Sequence, residues 1–309
     1  NGMNRFHKAL IFGGALILGC AVLGSFNLAA AADIFVDNVQ GDDRNAGTSP
    51  DFGAGQAGPV ETIAKALRIA HRGDHIILAN NEDQPYRESL TLQGAKNSGW
   101  PDGSFVIEGN GAILDGSDIV PLDGWDHEVN DIFRFTPARK IYHQLFIDDR
   151  PITQAPITNR GELDTMQPLH WTLLDGVIYF KAERRRGPGS YRMTYTTKPV
   201  GITLYQVRYV MINNLTVQGF QLDGINAHDN ADQVVLNNIV ARGNGRSGIS
   251  IGGASRVSVN GALIGNNGKS QLRTEGYSKT DIRRSTILDN TAIDLDRQGG
   301  EITVDGQPF

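Results

Sequence analysis

Cysteine is almost absent from this sequence: its 309 residues include one, Cys20, in an apolar segment near the N-terminus. The rest of the chain therefore offers no disulfide, no cysteine metal ligand and no thiol nucleophile. Aromatic residues make up only 7%, and charged residues 20%, of the sequence. The net charge of −5 gives no general attraction to nucleic acid. These deficits exclude disulfide-stapled folds and thiol enzymes, and they make a nucleic-acid partner unexpected.

Long apolar runs are also lacking, apart from residues 9–23, which carry no charge and follow Arg5 and Lys8. Three alanines at 30–32 form a small-residue cleavage site, so residues 1–32 are predicted to be a secretory signal peptide. The run is too short and wrongly flanked for a membrane span. We therefore expect a mature chain of 33–309 that is secreted, periplasmic or on the cell surface. Lipidation at Cys20 is the alternative, although apolar residues follow that cysteine.

A repeated segment near the C-terminus is the most informative feature that is present. Residues 210–219 read VMINNLTVQG, and a similar segment, VVLNNIVARG, starts 24 residues later. VSVNGALIGN and TDIRRSTILD start after further steps of 23 residues each. A fixed period of this size predicts a solenoid, in which each coil buries its apolar face against its neighbours. The short β-branched runs between Asn and Gly favour coils made of strands.

One coil can be traced residue by residue. Val210 and Ile212 face one side of a first strand, and an Asn-Asn turn follows at 213–214. Leu215 and Val217 then point inward on a second strand, and a longer turn over 219–224 leads to a third. The inward positions of that third strand in successive coils are Ile225 and Ala227, Ile249 and Ile251, Leu272 and Thr274, and Leu295.

Three strands per coil predict a parallel β-helix with two kinds of internal stack. The side chains of Ile212, Leu236, Val259 and Ile282 are expected to stack inside one sheet. The amides of Asn213, Asn237 and Asn260 are expected to form a hydrogen-bonded ladder.

The N-terminal part carries further features of the same architecture. Apolar residues recur at helical spacing over 60–70, and residues 72–78 (RGDHIIL) lead from that short helix into a strand through a Gly-Asp turn. Residues 105–116 (FVIEGNGAILDG) read as a further coil. Over most of residues 33–309, the chain resembles the pectate-lyase-like right-handed parallel β-helix superfamily. That superfamily includes secreted polysaccharide lyases and several glycoside hydrolases.

The resemblance implies an all-β, single-stranded solenoid with a short N-terminal cap helix, and it specifies the fold far more strongly than the reaction. Regular coils of 23 to 24 residues are expected over 201–298. Residues 118–200 break the period and contain several short strand and hairpin patterns, so they are interpreted as a small β-rich insertion.

Charged side chains are expected to gather outside the third strands, in three outward columns. These columns are Asn226, Ser250, Arg273 and Asp296; His228, Gly252, Glu275 and Gln298; and Gly224, Gly248, Gln271 and Asp294. Neighbouring coils are about 4.8 Å apart, which places Arg273, Glu275, Asp294 and Asp296 within one patch about 7 to 14 Å wide. Asp223 and Arg246 lie in the bordering turns and are candidates, with His228, for binding the substrate.

Two mechanisms suit this patch. A glycosidase needs a proton donor and a second carboxylate, which Glu275 and Asp296 would supply. A lyase needs a base and a group that neutralises the substrate carboxylate, either Arg273 or Ca²⁺ held by Asp294 and Asp296. The alternative is a solvated Arg273–Asp296 pair with no catalytic role. An acidic stretch over 33–51 offers a second possible Ca²⁺ ligand set, but without EF-hand spacing it reads more simply as a solvated entry loop.

The sequence thus predicts a secreted carbohydrate-active protein that cleaves a polysaccharide as a glycoside hydrolase or lyase. A non-catalytic surface, adhesion or carbohydrate-binding solenoid is the competing interpretation. It is favoured by the scarcity of aromatics in the coils, because sugar-binding clefts usually stack sugars on such rings. Finally, residues 301–309 read as one more strand and a turn, with no visible cap. Solenoid ends need covering, so the sequence predicts either a longer natural chain or self-association through this end.

Overall fold

The computed structural model describes residues 31–309 except Ala54, Glu82 and Lys140. The expected lipidation site Cys20, and nearly all of the expected signal peptide, lie outside the described residues. No helix within the described part of the chain is long and apolar enough to cross a membrane.

A seven-residue helix precedes the first complete coil. Helix α1 (Ile63–Ile69) begins after Thr62, whose hydroxyl accepts a hydrogen bond from the Lys65 amide at 3.0 Å and so caps the helix. It buries Ile63, Ala66 and Leu67 against the solenoid core. The helix is shorter than the expected 60–70, because Val60 is still extended and bridges Val36 of the first strand. The strands of this region are β1 (Asp33–Val36), β2 (His75–Leu78), β3 (Leu90–Gln93), β4 (Phe105–Glu108) and β5 (Ile113–Asp115).

The following segment leaves the solenoid and forms two antiparallel four-stranded sheets, with strand orders β10-β9-β13-β6 and β11-β12-β8-β7. We call this segment the insertion. Its strands are β6 (Ser117–Ile119), β7 (Trp125–Val129), β8 (Ile132–Phe135), β9 (Leu145–Ile147), β10 (Arg150–Pro151), β11 (Trp171–Leu174), β12 (Val177–Lys181) and β13 (Met193–Thr196). The insertion buries its own apolar clusters, including the fully buried Trp171 and Phe180. It therefore has an apolar core of its own, and it contacts the coils where Phe146 lies against Gly243 and Tyr142 against Gly245.

The remaining strands build the regular coils. They are β14 (Ile202–Tyr205), β15 (Arg208–Asn213), β16 (Thr216–Gln218), β17 (Asp223–His228), β18 (Asp232–Asn237), β19 (Val240–Arg242), β20 (Ser247–Ile251), β21 (Arg256–Asn260), β22 (Leu263–Gly265), β23 (Ser270–Arg283), β24 (Thr286–Ile287), β25 (Ile293–Val304) and β26 (Gln307–Pro308). Pairing between successive coils is parallel throughout, and only β26 runs antiparallel, to β25.

Three faces result, as expected for a parallel β-helix. The first sheet contains β1, β2, β4, β15, β18, β21 and the second halves of β23 and β25. The second contains β5, β16, β19, β22 and β24. The third contains β3, β14, β17, β20 and the first halves of β23 and β25.

The predicted core register is confirmed. Ile212 pairs with Leu236, Leu236 with Val259, and Val259 with Ile282, and all four side chains are buried. The predicted asparagine ladder is also present. Asn237 Nδ2 donates to Asn213 Oδ1 at 2.9 Å, and Asn260 Nδ2 donates to Asn237 Oδ1 at 3.0 Å. Asn214 takes a φ of 51° at the adjacent turn position, a conformation that asparagine tolerates well.

Candidate functional site

The third sheet carries the predicted polar columns on its outer face. Ser250 pairs with Arg273, Arg273 with Asp296, and Glu275 with Gln298, in the register that the repeat predicts. Arg273 lies at the centre of the resulting cluster. Its Nη1 donates to Asp296 Oδ2 at 2.5 Å, and its Nη2 donates to Glu275 Oε2 at 2.9 Å. One guanidinium therefore holds both candidate catalytic carboxylates.

The two carboxylates differ in how many bonds they make. Asp296 is 23% exposed, and its Oδ1 accepts a further bond from Gln298 Nε2 at 2.6 Å. Glu275 is 46% exposed, and among the described residues its Oε1 accepts no hydrogen bond. Glu275 is thus the member of the pair with an oxygen left for another molecule.

A glycine in the preceding coil sets the position of Glu275. A Cβ added to Gly252 would lie 2.9 Å from both Cγ and Oε1 of Glu275, so the glutamate lies directly over this glycine. Any other residue at position 252 would occupy that space. The Glu275 side chain therefore lies over the preceding coil, whereas Asp296 belongs to the following coil.

Arg246 borders the cluster and is held by a buried carboxylate. Its Nε and Nη2 donate to Asp223 at 2.9 and 2.5 Å, and Ser247 and Asn226 donate to the same carboxylate at 2.6 and 2.7 Å. The hydrogen bond to Asp223 raises the pKa of Arg246, against the opposing effect of burial. The Asp223 side chain is fully buried, so it fixes the guanidinium of Arg246 and is closed to a substrate. Arg246 is 29% exposed and remains accessible.

His228 lies in the same outward column as Glu275, two coils before it. Its ring is stacked against Tyr205, with centroids 5.3 Å apart, and its Nδ1 lies 3.4 Å from Asp229 Oδ1. Both rings are partly exposed, at 38% each. Together they form a small platform on the third sheet.

The third predicted column does not reach this face. Gln271 is fully buried, and its Oε1 accepts hydrogen bonds from the backbone and side-chain amides of Asn267 at 3.1 and 2.9 Å. The Gln271 side chain bonds to the turn because this position lies at the start of the strand, where the N–H groups of the preceding turn have no partner in the sheet. Asp294 bonds the adjacent Leu295 amide and lines a small cavity at the last coil, among Leu272, Ile302 and other apolar residues. Among the described residues, no hydrogen bond or ion pair joins Asp294 to Arg273, whereas Glu275 and Asp296 both bond that guanidinium.

A cleft between the insertion and the coils completes the region, and no sequence pattern predicted it. Tyr142 of the insertion packs against Gly245, and Lys269 Nζ lies 5.9 Å from the Tyr142 ring centroid. Gly245 and Lys269 line the cleft, and the Lys269 N–H donates to the Arg246 carbonyl at 2.9 Å, so the cleft borders the turn that carries Arg246. No repeat period places the insertion, and hence residues 141–144 could not be assigned to this face in advance.

Within the part of the chain that the structure describes, no three or more His, Cys, Asp or Glu side chains converge to hold a metal ion. The acidic side chains of the entry loop bond within the protein instead. Asp37 Oδ1 accepts backbone bonds from Val39 and Gln40, and Asp43 accepts from the backbone and hydroxyl of Thr62. These contacts support the interpretation of residues 33–51 as an entry loop.

Comparisons with known proteins relate to the fold. Residues 200–306 match the family described as "right handed beta helix region". No curated protein sequence matches the chain significantly. Among solved structures, the chain is similar to XylC in complex with xylose, at 12% identity and a TM-score of 0.43, covering 87% of this chain and 68% of that one.

Two further structures show the same general likeness. Pectate lyase Pel9A matches at 10% identity and a TM-score of 0.36, over 90% of this chain and 69% of that one. The lacto-N-biosidase GH136 from Eubacterium ramulus matches at 12% identity and a TM-score of 0.34, over 82% of this chain but only 43% of the biosidase. Residues 200–306 thus match a right-handed β-helix family, and the stacked parallel coils give the described chain the fold of a right-handed parallel β-helix.

Proposed function

We propose that this protein is a secreted carbohydrate-active enzyme that cleaves a polysaccharide bound across the outer face of the third sheet. The observation that carries the proposal is the Arg273 cluster, in which one guanidinium binds Glu275 and Asp296 on an open face. Export depends on the leader expected over residues 1–32. Arg246, His228 and Tyr205 border the cluster and are proposed to contact the bound chain.

The two carboxylates are close enough together for hydrolysis. Glycosidases separate their two carboxyl groups by about 5 to 5.5 Å for retention and about 6.5 to 9.5 Å for inversion. Bonds of 2.5 and 2.9 Å to a single guanidinium keep Asp296 Oδ2 and Glu275 Oε2 closer together than the upper end of that range.

In the hydrolytic mechanism, Glu275 is the proton donor to the leaving oxygen, because its Oε1 is free to approach the substrate. Asp296 is then either the nucleophile that attacks the sugar carbon or the base that activates the attacking water. Arg273 fixes the orientation of both groups.

A lyase is the other form of the reaction. It would use Arg273 or Arg246 to neutralise a uronate carboxylate, and a nearby base to remove a proton from the sugar ring. The arginine of the Asp223 pair is held rigidly enough for this, since two of its nitrogens bond one buried carboxylate. Products separate the two chemistries, because elimination leaves an unsaturated sugar and hydrolysis does not.

Binding without catalysis is the second candidate, and the ion pairing itself favours it. Glu275 and Asp296 are both bonded to Arg273, as two charges that merely stabilise a solenoid surface would be. The purified chain should be screened against a polysaccharide panel. New reducing ends would be measured together with the ultraviolet absorbance of unsaturated products. Release of reducing ends without absorbance supports hydrolysis, and both signals together support a lyase. Retention on a polysaccharide with neither signal contradicts the enzymatic proposal.

A further inference from the structure

The cleft between the insertion and the coils is a candidate binding site in its own right. It has two connected lobes with cavity volumes of about 510 and about 490 Å³, which share Gln144, Gln154 and Gly268 as lining residues. The first lobe reaches Tyr142 and Lys269, whose N–H donates to the Arg246 carbonyl at 2.9 Å. The second runs between residues 151–158 of the insertion and the coil turns at Asn266 and Asn290.

Gln144 is the residue on which the two lobes converge. Its side chain is enclosed, with only 5% of the residue exposed. Its backbone N–H donates to Thr196 Oγ1 and its carbonyl accepts from the Thr196 N–H, both at 3.2 Å. The side-chain amide, in contrast, has no hydrogen-bond partner among the described residues. An amide that lines an open cleft without a partner in the protein is able to donate to and accept from a ligand bound there.

The coil beneath Gln144 is shaped to admit this amide. A Cβ on Gly268 would lie 2.3 Å from the Gly245 carbonyl oxygen and 2.8 Å from Gln144 Nε2, so glycine is required by the stacking of the coils and also leaves room for the amide. The amide consequently projects over the turn of the coil into the space that both lobes share. This placement differs from that of Gln271, whose buried amide accepts from Asn267 of its own turn and donates to the Ala292 carbonyl of the next coil.

The chemistry of the lining indicates the class of ligand. No carboxylate lines either lobe, and Lys269 at the outer end is the single charged residue among the described lining residues. The second lobe carries amides and hydroxyls, from Gln154, Thr153 and Thr158, beside apolar surface from Ile152 and Ile157. Amides donate to and accept from sugar hydroxyls, whereas a row of uronate carboxylates needs cations along its length.

We propose that the cleft is a subsite for uncharged sugar residues, with the Gln144 amide as its central hydrogen-bonding group. This rests on the proposed function, because the cleft borders the Arg246 turn and would hold the part of the chain next to the cleaved bond. It also narrows that function. Elimination needs a carboxylate next to the carbon that loses its proton, so a neutral sugar at the reacting position makes the enzyme a hydrolase.

Calorimetric titration of the full chain tests the proposal. The probes are neutral hexasaccharides of glucose, mannose, galactose and xylose, with hexagalacturonate as the acidic comparison. At least one neutral probe should bind, and more tightly than hexagalacturonate. Gln144→Met keeps the length of the side chain without its hydrogen bonds and should raise Kd by about ten-fold. Gln40→Met, at an exposed position in the entry loop, should leave Kd unchanged.

Gln154→Ala provides a second test if Gln144→Met fails to fold, because Gln154 is exposed and lines both lobes. It should weaken the same probe. The proposal is overturned if no neutral probe binds, if hexagalacturonate binds more tightly, or if neither glutamine variant changes Kd. Gln144-dependent binding of a neutral probe that is never cleaved would uphold the subsite and contradict the enzymatic function. Cleavage of an acidic polymer alone would uphold the enzymatic function and contradict the neutral-sugar subsite.

Discussion

Replacing Gly252 with alanine is expected to displace Glu275 while leaving the coil intact. The new methyl group would lie 2.9 Å from Glu275 Cγ and Oε1, closer than the about 3.5 to 4.0 Å at which carbon atoms pack. The Gly252 backbone is not in the left-handed region, so alanine fits it without strain. The clash is relieved by rotation of the Glu275 side chain, at a cost of about 0.5 to 1.5 kcal/mol if it leaves its rotamer.

The expected loss of activity is larger than this loss of stability. A carboxylate moved by about 1 Å from its productive position lowers turnover by about 10²-fold. We therefore expect kcat on a cleaved polysaccharide to fall by about that factor, with KM nearly unchanged. The melting temperature should move by only a few degrees. Initial rates and thermal unfolding on the same preparations provide the measurement.

Two comparisons show whether Gly252 acts through Glu275. Gly103→Ala, at an open turn with no atom within 4 Å of the added methyl, should leave both quantities unchanged. In the Glu275→Gln background, Gly252→Ala should cause little further loss of kcat, because residues that act as one unit are not additive. Full activity of Gly252→Ala, or an equal loss in both backgrounds, would refute the reasoning.

Three further predictions concern stability. Leu236→Ala, at a fully buried position between Ile212 and Val259, should lower the free energy of unfolding by about 2 to 5 kcal/mol in urea titrations, and a loss below about 1 kcal/mol would show that the position is not core. Asp223→Ala should lower the free energy of unfolding by about 3 kcal/mol, because the half-buried Arg246 loses its partner. As a control, Glu301→Ala removes an exposed partner of Lys279 and should change the free energy of unfolding by less than about 1 kcal/mol. Burial lowers the pKa of His143, so below about pH 6.5 the unfolded chain binds more protons than the folded chain. The free energy of unfolding should therefore fall as the pH drops through that value. A His143→Gln variant whose stability has the same dependence on pH would contradict this.

The coils could be predicted from the sequence because the fixed repeat period determines the register of each strand. Once Ile212 faces inward, the period fixes Leu236, Val259 and Ile282, and the parallel pairing admits no slip without exposing all of them. The helix boundary was less predictable. Val60 has the right spacing for a helix, but its bridge to Val36 keeps it extended, and the cap at Thr62 delays the first turn.

The candidate site was predictable only where it lies on the repeat. Arg273, Glu275 and Asp296 came together because the period determines which residues are neighbours in successive coils. Asp294 and Gln271 did not follow, since at the start of a strand the needs of the turn determine where a side chain points. Gln144 and Tyr142 lie in the insertion, whose docking on Gly245 and Gly268 is a long-range contact without any local pattern.

The central claim is that Glu275 and Asp296 cleave a glycan. The measurement that tests it most directly is turnover of a cleaved polysaccharide by Glu275→Gln and Asp296→Asn, with the melting temperature measured on each variant. Both changes keep the size of the side chain and remove its charge. We predict a loss of turnover of at least about 10²-fold in each, with melting temperatures within a few degrees of the unaltered protein. Undiminished turnover in either variant would contradict the assignment of that residue, and undiminished turnover in both would show that the Arg273 cluster is a surface ion pair.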